Sequence, residues 1–109
     1  MAKYWHATNL DNILEIINKG LLTSKSCDNV IYLCEKEEDA VKFPAIRGIK
    51  EILVCEVEVD EGFIHESFDH NEKFFGCKAY FCEKDIPSSN ILQYRKWLNP
   101  FIKQKEENA

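Results

Sequence analysis

Two hydrophobic periods alternate along the chain, and they predict most of its elements. Leu10, Ile13, Leu14, Ile17 and Leu21 fall on one side of a helix, which predicts an amphipathic helix from Leu10 to Leu22. Thr8 or Asn9 is suited to cap its start, with Asp11 three residues past Thr8 in a capping-box-like pattern, and Gly20 to end it. Before it, Tyr4-Trp5-His6-Ala7-Thr8 reads as a strand running into the helix. After it, Ser24 to Asn29 reads as a polar loop, and the short apolar run Val30-Ile31-Tyr32-Leu33, continuing to Cys34, as a second strand. Glu35 to Asp39 followed by Ala40, Val41 and Phe43 predicts a short helix with acids in its first turn, stopped by Pro44 and Gly48.

Strict alternation marks Glu51 to Val59 as the best strand. Leu53, Cys55, Val57 and Val59 share one face, expected to be core, and Ile52, Val54, Glu56 and Glu58 share the other, expected to be half solvated. Asp60 to Gly76 has no sustained period and reads as a long loop, of the sort that often carries function. Lys78 to Cys82 and Asn90 to Gln93 are further strand candidates around a turn at Lys84 to Ser88. The segment from Arg95 reads as a helix interrupted by Pro100, with about 104–109 frayed. The order is strand, helix, strand, helix and then mainly strands, which is an α+β domain rather than a run of βαβ units.

Composition narrows the class. At 109 residues the chain is one domain, 1–109, and a domain of this size buries roughly two thirds of its extended surface. An apolar content of 45% with 30% charged residues fits a packed globular fold. A net charge of −5 disfavours strong nonspecific nucleic-acid binding, which depends on cations neutralising phosphates. The cluster Arg95, Lys96, Lys103 and Lys105 reads as the solvated face of a helix. No apolar run is long enough to cross a bilayer and no signal-peptide pattern opens the chain, so a cytoplasmic protein without a membrane role is expected. The cysteines are odd in number and form no Cys-x-x-Cys pair, which points to reduced core thiols rather than disulfides or a zinc ribbon. Both standard phosphate-cradling glycine motifs are absent.

Trp5-His6-Ala7-Thr8, then Ile13 through Gly20-Leu21, then Ile31-Tyr32-Leu33 and the helix containing Ala40 resemble the first half of the ADP-ribosyltransferase-like family, whose diphtheria-toxin and poly(ADP-ribose) polymerase types carry a His-Tyr-Glu constellation. Glu51 to Val59, and Ala79-Tyr80-Phe81 through Ile86-Pro87 to Ile91, resemble its later strands, so the likeness spans nearly the whole chain. It implies a split β-sandwich of two small sheets with flanking helices and NAD, as substrate, in the cleft between them. His6 would hydrogen-bond the adenosine ribose, the Ala7 backbone would hold the nicotinamide amide, Thr8 would support the site, and Tyr32 would stack on the nicotinamide ring. Two departures stand out. Ala7 takes the place of the usual glycine, and Ala79 falls where the glutamate is expected. That acid stabilises the charge developing as the glycosidic bond breaks. Its nearest substitutes are Glu83, Glu66 and Asp69.

Each candidate also has a plainer reading. Taken alone, His6 reads first as an interior histidine and Tyr32 as a core tyrosine; their order with Thr8 raises the ligand role. Asp69 and His70 would form an acid–imidazole pair at the cofactor if a turn brought them inward, and are otherwise loop caps. Cys77 and Cys82 have no motif partner to activate a thiolate, Phe74-Phe75 fits a core seal, and His6, His65 and His70 match no metal spacing. The resemblance implies an enzyme that cleaves the nicotinamide–ribose bond of NAD and modifies a protein or nucleic acid, with His6, Tyr32 and Glu83 as catalytic candidates. The alternative is an inactive module of the same fold that binds NAD, ADP-ribose or a partner protein, in a sequestering or inhibitory role of the kind mobile elements encode. Phosphotransfer on RNA, known in the same fold family, ranks below both because the chain lacks the basic opening motif.

Overall fold

A computed structural model of the chain describes residues 1–26, 29–67 and 78–102. Among these residues six strands and two helices follow the order β1 (Ala2–Asn9), α1 (Ile13–Lys19), β2 (Ile31–Leu33), α2 (Glu37–Ile46), β3 (Glu51–Val59), β4 (Ile64–Ser67), β5 (Ala79–Cys82) and β6 (Ile91–Leu98). They form two antiparallel three-stranded sheets, β1-β3-β6 and β2-β5-β4. This is an α+β domain, as the sequence pattern predicts, and it is built on two small sheets.

β3 organises the interior. Leu53, Cys55, Val57 and Val59 on one face join Ile31, Leu33 and Cys82 of the second sheet in one core, together with Ile16 of α1. The opposite face is also buried where the sequence reading expects partial solvation: Ile52 and Val54 pack with Val41 and Ala45 of α2 in a second core. Only its Glu56 and Glu58 end reaches solvent. The molecule is thus layered, with α2, the β1-β3-β6 sheet and the β2-β5-β4 sheet in that order.

Several expected boundaries shift for physical reasons. Leu10–Asn12 is a 3-10 turn, capped by the Asn9 side chain accepting from Asp11 N–H, so the α-helix begins only at Ile13. It ends at Lys19, because Gly20 turns to φ +78° and Leu21 exchanges backbone hydrogen bonds with Ile86. Pro44 lies inside α2 rather than stopping it. Pro44 is fully buried, and the helix ends two residues later through Gly48 at φ +82°. Ile64–Ser67, expected as loop, is β4, an edge strand on β5.

The largest correction concerns the C-terminal segment, expected to be helical from Arg95. β6 continues as strand to Leu98, paired with β3, and a bulge opposite Glu56 and Val57 places Ile91 and Tyr94 on the same face. That three-residue spacing mimics a helix. Arg95 and Lys96 are therefore strand residues on opposite faces, ion-paired to Glu37 and Glu51 at 2.9 and 2.8 Å.

Candidate functional site

Beside the core that they share, the two sheets are joined backbone to backbone at one bridge among the described residues. Trp5 N–H donates to the Cys34 carbonyl at 2.8 Å and Cys34 N–H donates to the Trp5 carbonyl at 2.9 Å. Beyond this bridge β1 and β2 part, and the ladder stops. One side chain spans the opening: His6 Nδ1–H donates to the Tyr32 carbonyl at 2.8 Å. A carbonyl can only accept, so Nδ1 carries the proton and Nε2 is the acceptor of the neutral ring. Burial holds His6 below its ordinary pKa, the Arg47 charge pushes the same way, and the Tyr32 carbonyl opposes both.

Antiparallel alternation fixes what the next residue presents. Trp5 directs its N–H and C=O away from β3 toward Cys34, and β1 pairs with β3 without a break in register from Ala2 to Asn9. Ala7, two residues on, therefore directs its own N–H and C=O to the same side, into the gap that β2 has left. One residue thus offers a donor and an acceptor side by side at the opening, which is the pattern that matches a carboxamide.

Two chambers meet there. The larger, about 490 Å³, is lined by polar groups including Thr8, Asn12, Glu15, Lys25 and Ser26. The smaller, about 310 Å³, is mainly apolar, with Trp5, Ala40, Phe43 and Ile46. His6, Ala7, Tyr32 and Arg47 line both. These volumes suit a small-molecule site. Thr8 supports the floor, its hydroxyl accepting from Asn12 Nδ2 at 3.0 Å. At the rim Lys25 pairs with Glu15 at 2.7 Å, and the lysine holds the Glu15 carboxyl below the usual range.

The wall behind the larger chamber is pinned to the second sheet's turn. Leu21 and Ile86 exchange backbone hydrogen bonds at 2.8 and 2.9 Å, and Asp85 accepts from Thr23 N–H and its hydroxyl at 2.7 and 2.9 Å. Those bonds keep the Asp85 carboxyl below its ordinary pKa. Gly20 makes this approach possible, since a Cβ there would run into the backbone of Ile86, Pro87 and Ser88.

The consecutive residues His6, Ala7 and Thr8 and the distant Tyr32 are therefore brought together. Glu83 is not. It sits exposed after β5 and pairs with His65 Nε2 at 3.0 Å, and it lines neither chamber. Ala79 is buried opposite Ser67, and Glu66 is paired with Lys78 at 3.5 Å. Asp69, His70, Phe74, Phe75 and Cys77 lie outside the described residues. Cys82 is buried and its thiol donates to the Lys84 carbonyl, while burial pushes the Cys55 thiol up to about 12, so neither is set up as a nucleophile. Among the described residues no three metal-ligating side chains converge, and no helix is long and apolar enough to cross a membrane.

Sequence reasoning missed Arg47, which no motif marks, and the acid–imidazole pair His65–Glu83, whose members are brought together by the pairing of β4 with β5. A scan of protein-family models finds none that matches the chain, and a search of curated proteins finds no similar sequence.

Proposed function

We propose that this is an ADP-ribosyltransferase-like domain whose cleft binds NAD or a related ADP-ribose nucleotide. The observation that carries the reading is the Ala7 backbone, whose N–H and C=O face the gap between the parted strands beside His6 and Tyr32. A nicotinamide carboxamide needs one donor and one acceptor at that spacing, and it makes with Ala7 the two bonds that β2 would have made. The His6 ring is fixed by the Tyr32 carbonyl with Nε2 left to accept from a ribose hydroxyl. The mainly apolar chamber and the mixed one, joined at this point, suit the unlike ends of a dinucleotide. Two three-stranded sheets stitched at one bridge agree with the split sandwich of that fold.

Binding without turnover is the reading we favour. Among the described residues Glu15 is the only carboxylate lining the cleft, and Lys25 neutralises it, so no free acid stands ready to stabilise an oxocarbenium-like charge. A second reading, transfer of ADP-ribose to a macromolecule, rests on the juxtaposition of His6 with Tyr32, and it requires an acid that the described part of the cleft does not supply.

Calorimetry with NAD and ADP-ribose, run beside mass detection of nicotinamide, tests both readings. Saturable binding without nicotinamide is expected, abolished by Tyr32→Ala and weakened by His6→Ala. Nicotinamide release would establish the second reading, and no binding of either nucleotide would end both.

A further inference from the structure

Among the described residues Arg47 is the one charged residue common to both chambers, and its position is set by the turn that ends α2. Its backbone N–H donates to the Pro44 carbonyl, and Gly48 N–H then donates to the Ala45 carbonyl, so the residue is anchored while its side chain faces the cleft. The other cations near a carboxylate are engaged: Lys25 with Glu15, Lys42 with Asp39, Lys78 with Glu66, Arg95 with Glu37 and Lys96 with Glu51. The Arg47 guanidinium has no such carboxylate among the described residues. Charge sharpens the contrast. The chain carries −5 overall, yet among the described residues the charged groups lining the cleft are Glu15, Lys25 and Arg47, which sum to one positive charge. A cation in a concave site concentrates anions there against the field of the rest of the surface.

We infer that Arg47 is an anion-holding residue at the waist of the cleft, taking the bridging diphosphate of a nucleotide laid across both chambers. The inference rests on the nucleotide reading above but names a different contact. Guanidinium presents parallel N–H donors that match two phosphate oxygens, which a single ammonium cannot reproduce. It also links the two ends of the ligand. Arg47 is the charge acting on His6, and among the described residues the remaining ionisable groups that line the cleft are Glu15 and Lys25, paired with each other, Tyr32 and the buried Cys34 thiol. A phosphate seated on Arg47 cancels that charge, so the imidazole becomes easier to protonate when the anion is bound.

The full chain, as wild type, Arg47→Gln and Arg47→Lys, is titrated with inorganic pyrophosphate, ADP-ribose and adenosine. Affinity is read by calorimetry and the His6 ring by its NMR signals against pH. Pyrophosphate is expected to bind wild type and raise the His6 titration midpoint, and to do neither in Arg47→Gln. ADP-ribose should lose about tenfold in affinity in Arg47→Gln, as removal of a charge-assisted hydrogen bond commonly costs, while adenosine is unchanged. Arg47→Lys should retain less than half of the wild-type preference for ADP-ribose over adenosine. Equal pyrophosphate binding by wild type and Arg47→Gln, or none by wild type, overturns the assignment. ADP-ribose binding equally to wild type and Arg47→Gln also overturns it but leaves the nucleotide reading standing. Pyrophosphate bound through Arg47 while NAD and ADP-ribose stay silent does the reverse.

Discussion

β3 and β5 are the central strands of their sheets, and they are held in different ways. β3 runs for nine residues, with Ile52, Leu53, Val54, Cys55 and Val57 all at most 1% exposed, and is covered on both faces. β5 has four residues, of which Ala79 and Cys82 are buried while Tyr80 and Phe81 stay half open. The first sheet keeps its shape by its own burial. The second depends on attachments: the Trp5–Cys34 bridge, the Leu21–Ile86 bridge, Asp85 on Thr23, and Tyr80, whose hydroxyl donates to Glu35 at 2.6 Å. His6 comes from the self-supporting sheet and Tyr32 from the attached one. The geometry of the candidate cleft is therefore set by those few attachments, while the stability of the domain is set by β3.

Four perturbations break or sharpen that contrast. Leu53→Ala should be the most damaging, costing about 3–4 kcal/mol for a fully buried leucine whose site cannot collapse between two layers. Denaturant unfolding should show one cooperative transition at a lower midpoint. Loss confined to the second sheet would contradict the central place given to β3. Gly20→Ala should cost about 2–3 kcal/mol, because φ +78° with ψ −165° is a conformation for glycine and the methyl meets backbone. Hydrogen exchange should quicken in Ile31–Leu33 and Ala79–Cys82 before it does in β3; uniform loss would count against the division. Asp85→Ala removes the acceptor of two hydrogen bonds at an exposed site, for about 1 kcal/mol by thermal melting. It should widen the larger chamber more than it lowers stability, read as a change in ligand affinity.

The pH effect is the smallest. His6 titrates below its ordinary 6.5 in the folded chain, so at and below that pH the unfolded chain takes up a proton that the folded one resists. This contribution makes stability rise with pH through that window and level off above it. Urea midpoints of wild type and His6→Gln compared across the range isolate the slope, which the variant should lack.

Much of the domain was legible in the chain. β3 announced itself because each of its positions is either core or charged, and α1 because of its closing glycine, although the expected stripe is not the face it buries: Ile16 is its buried residue, while Leu14 and Ile17 are exposed. β4 was hidden by its brevity, with a single apolar residue in Ile64-His65-Glu66-Ser67, and β6 by the bulge that gives Ile91 and Tyr94 a helical spacing. The second buried face of β3 depended on where α2 docks, which no local pattern states. His6, Ala7, Thr8 and Tyr32 all line the larger chamber, and the sequence marks them together only through a resemblance. What each presents, above all the Ala7 amide edge, follows only from the strands parting after the seam. Arg47 had no local signal at all, because its relevance comes from facing two chambers at once.

Cys34 places a sulfur atom at the junction itself. It is 2% exposed, and its own backbone makes both bonds to Trp5. Any fluctuation that separates the sheets bares this thiol to reagents, whereas Cys55, sealed within β3 at 0% exposure, becomes reachable only when the whole domain opens. The ratio of their alkylation rates, followed peptide by peptide, is then a clock for cleft opening that the protein carries in its own sequence.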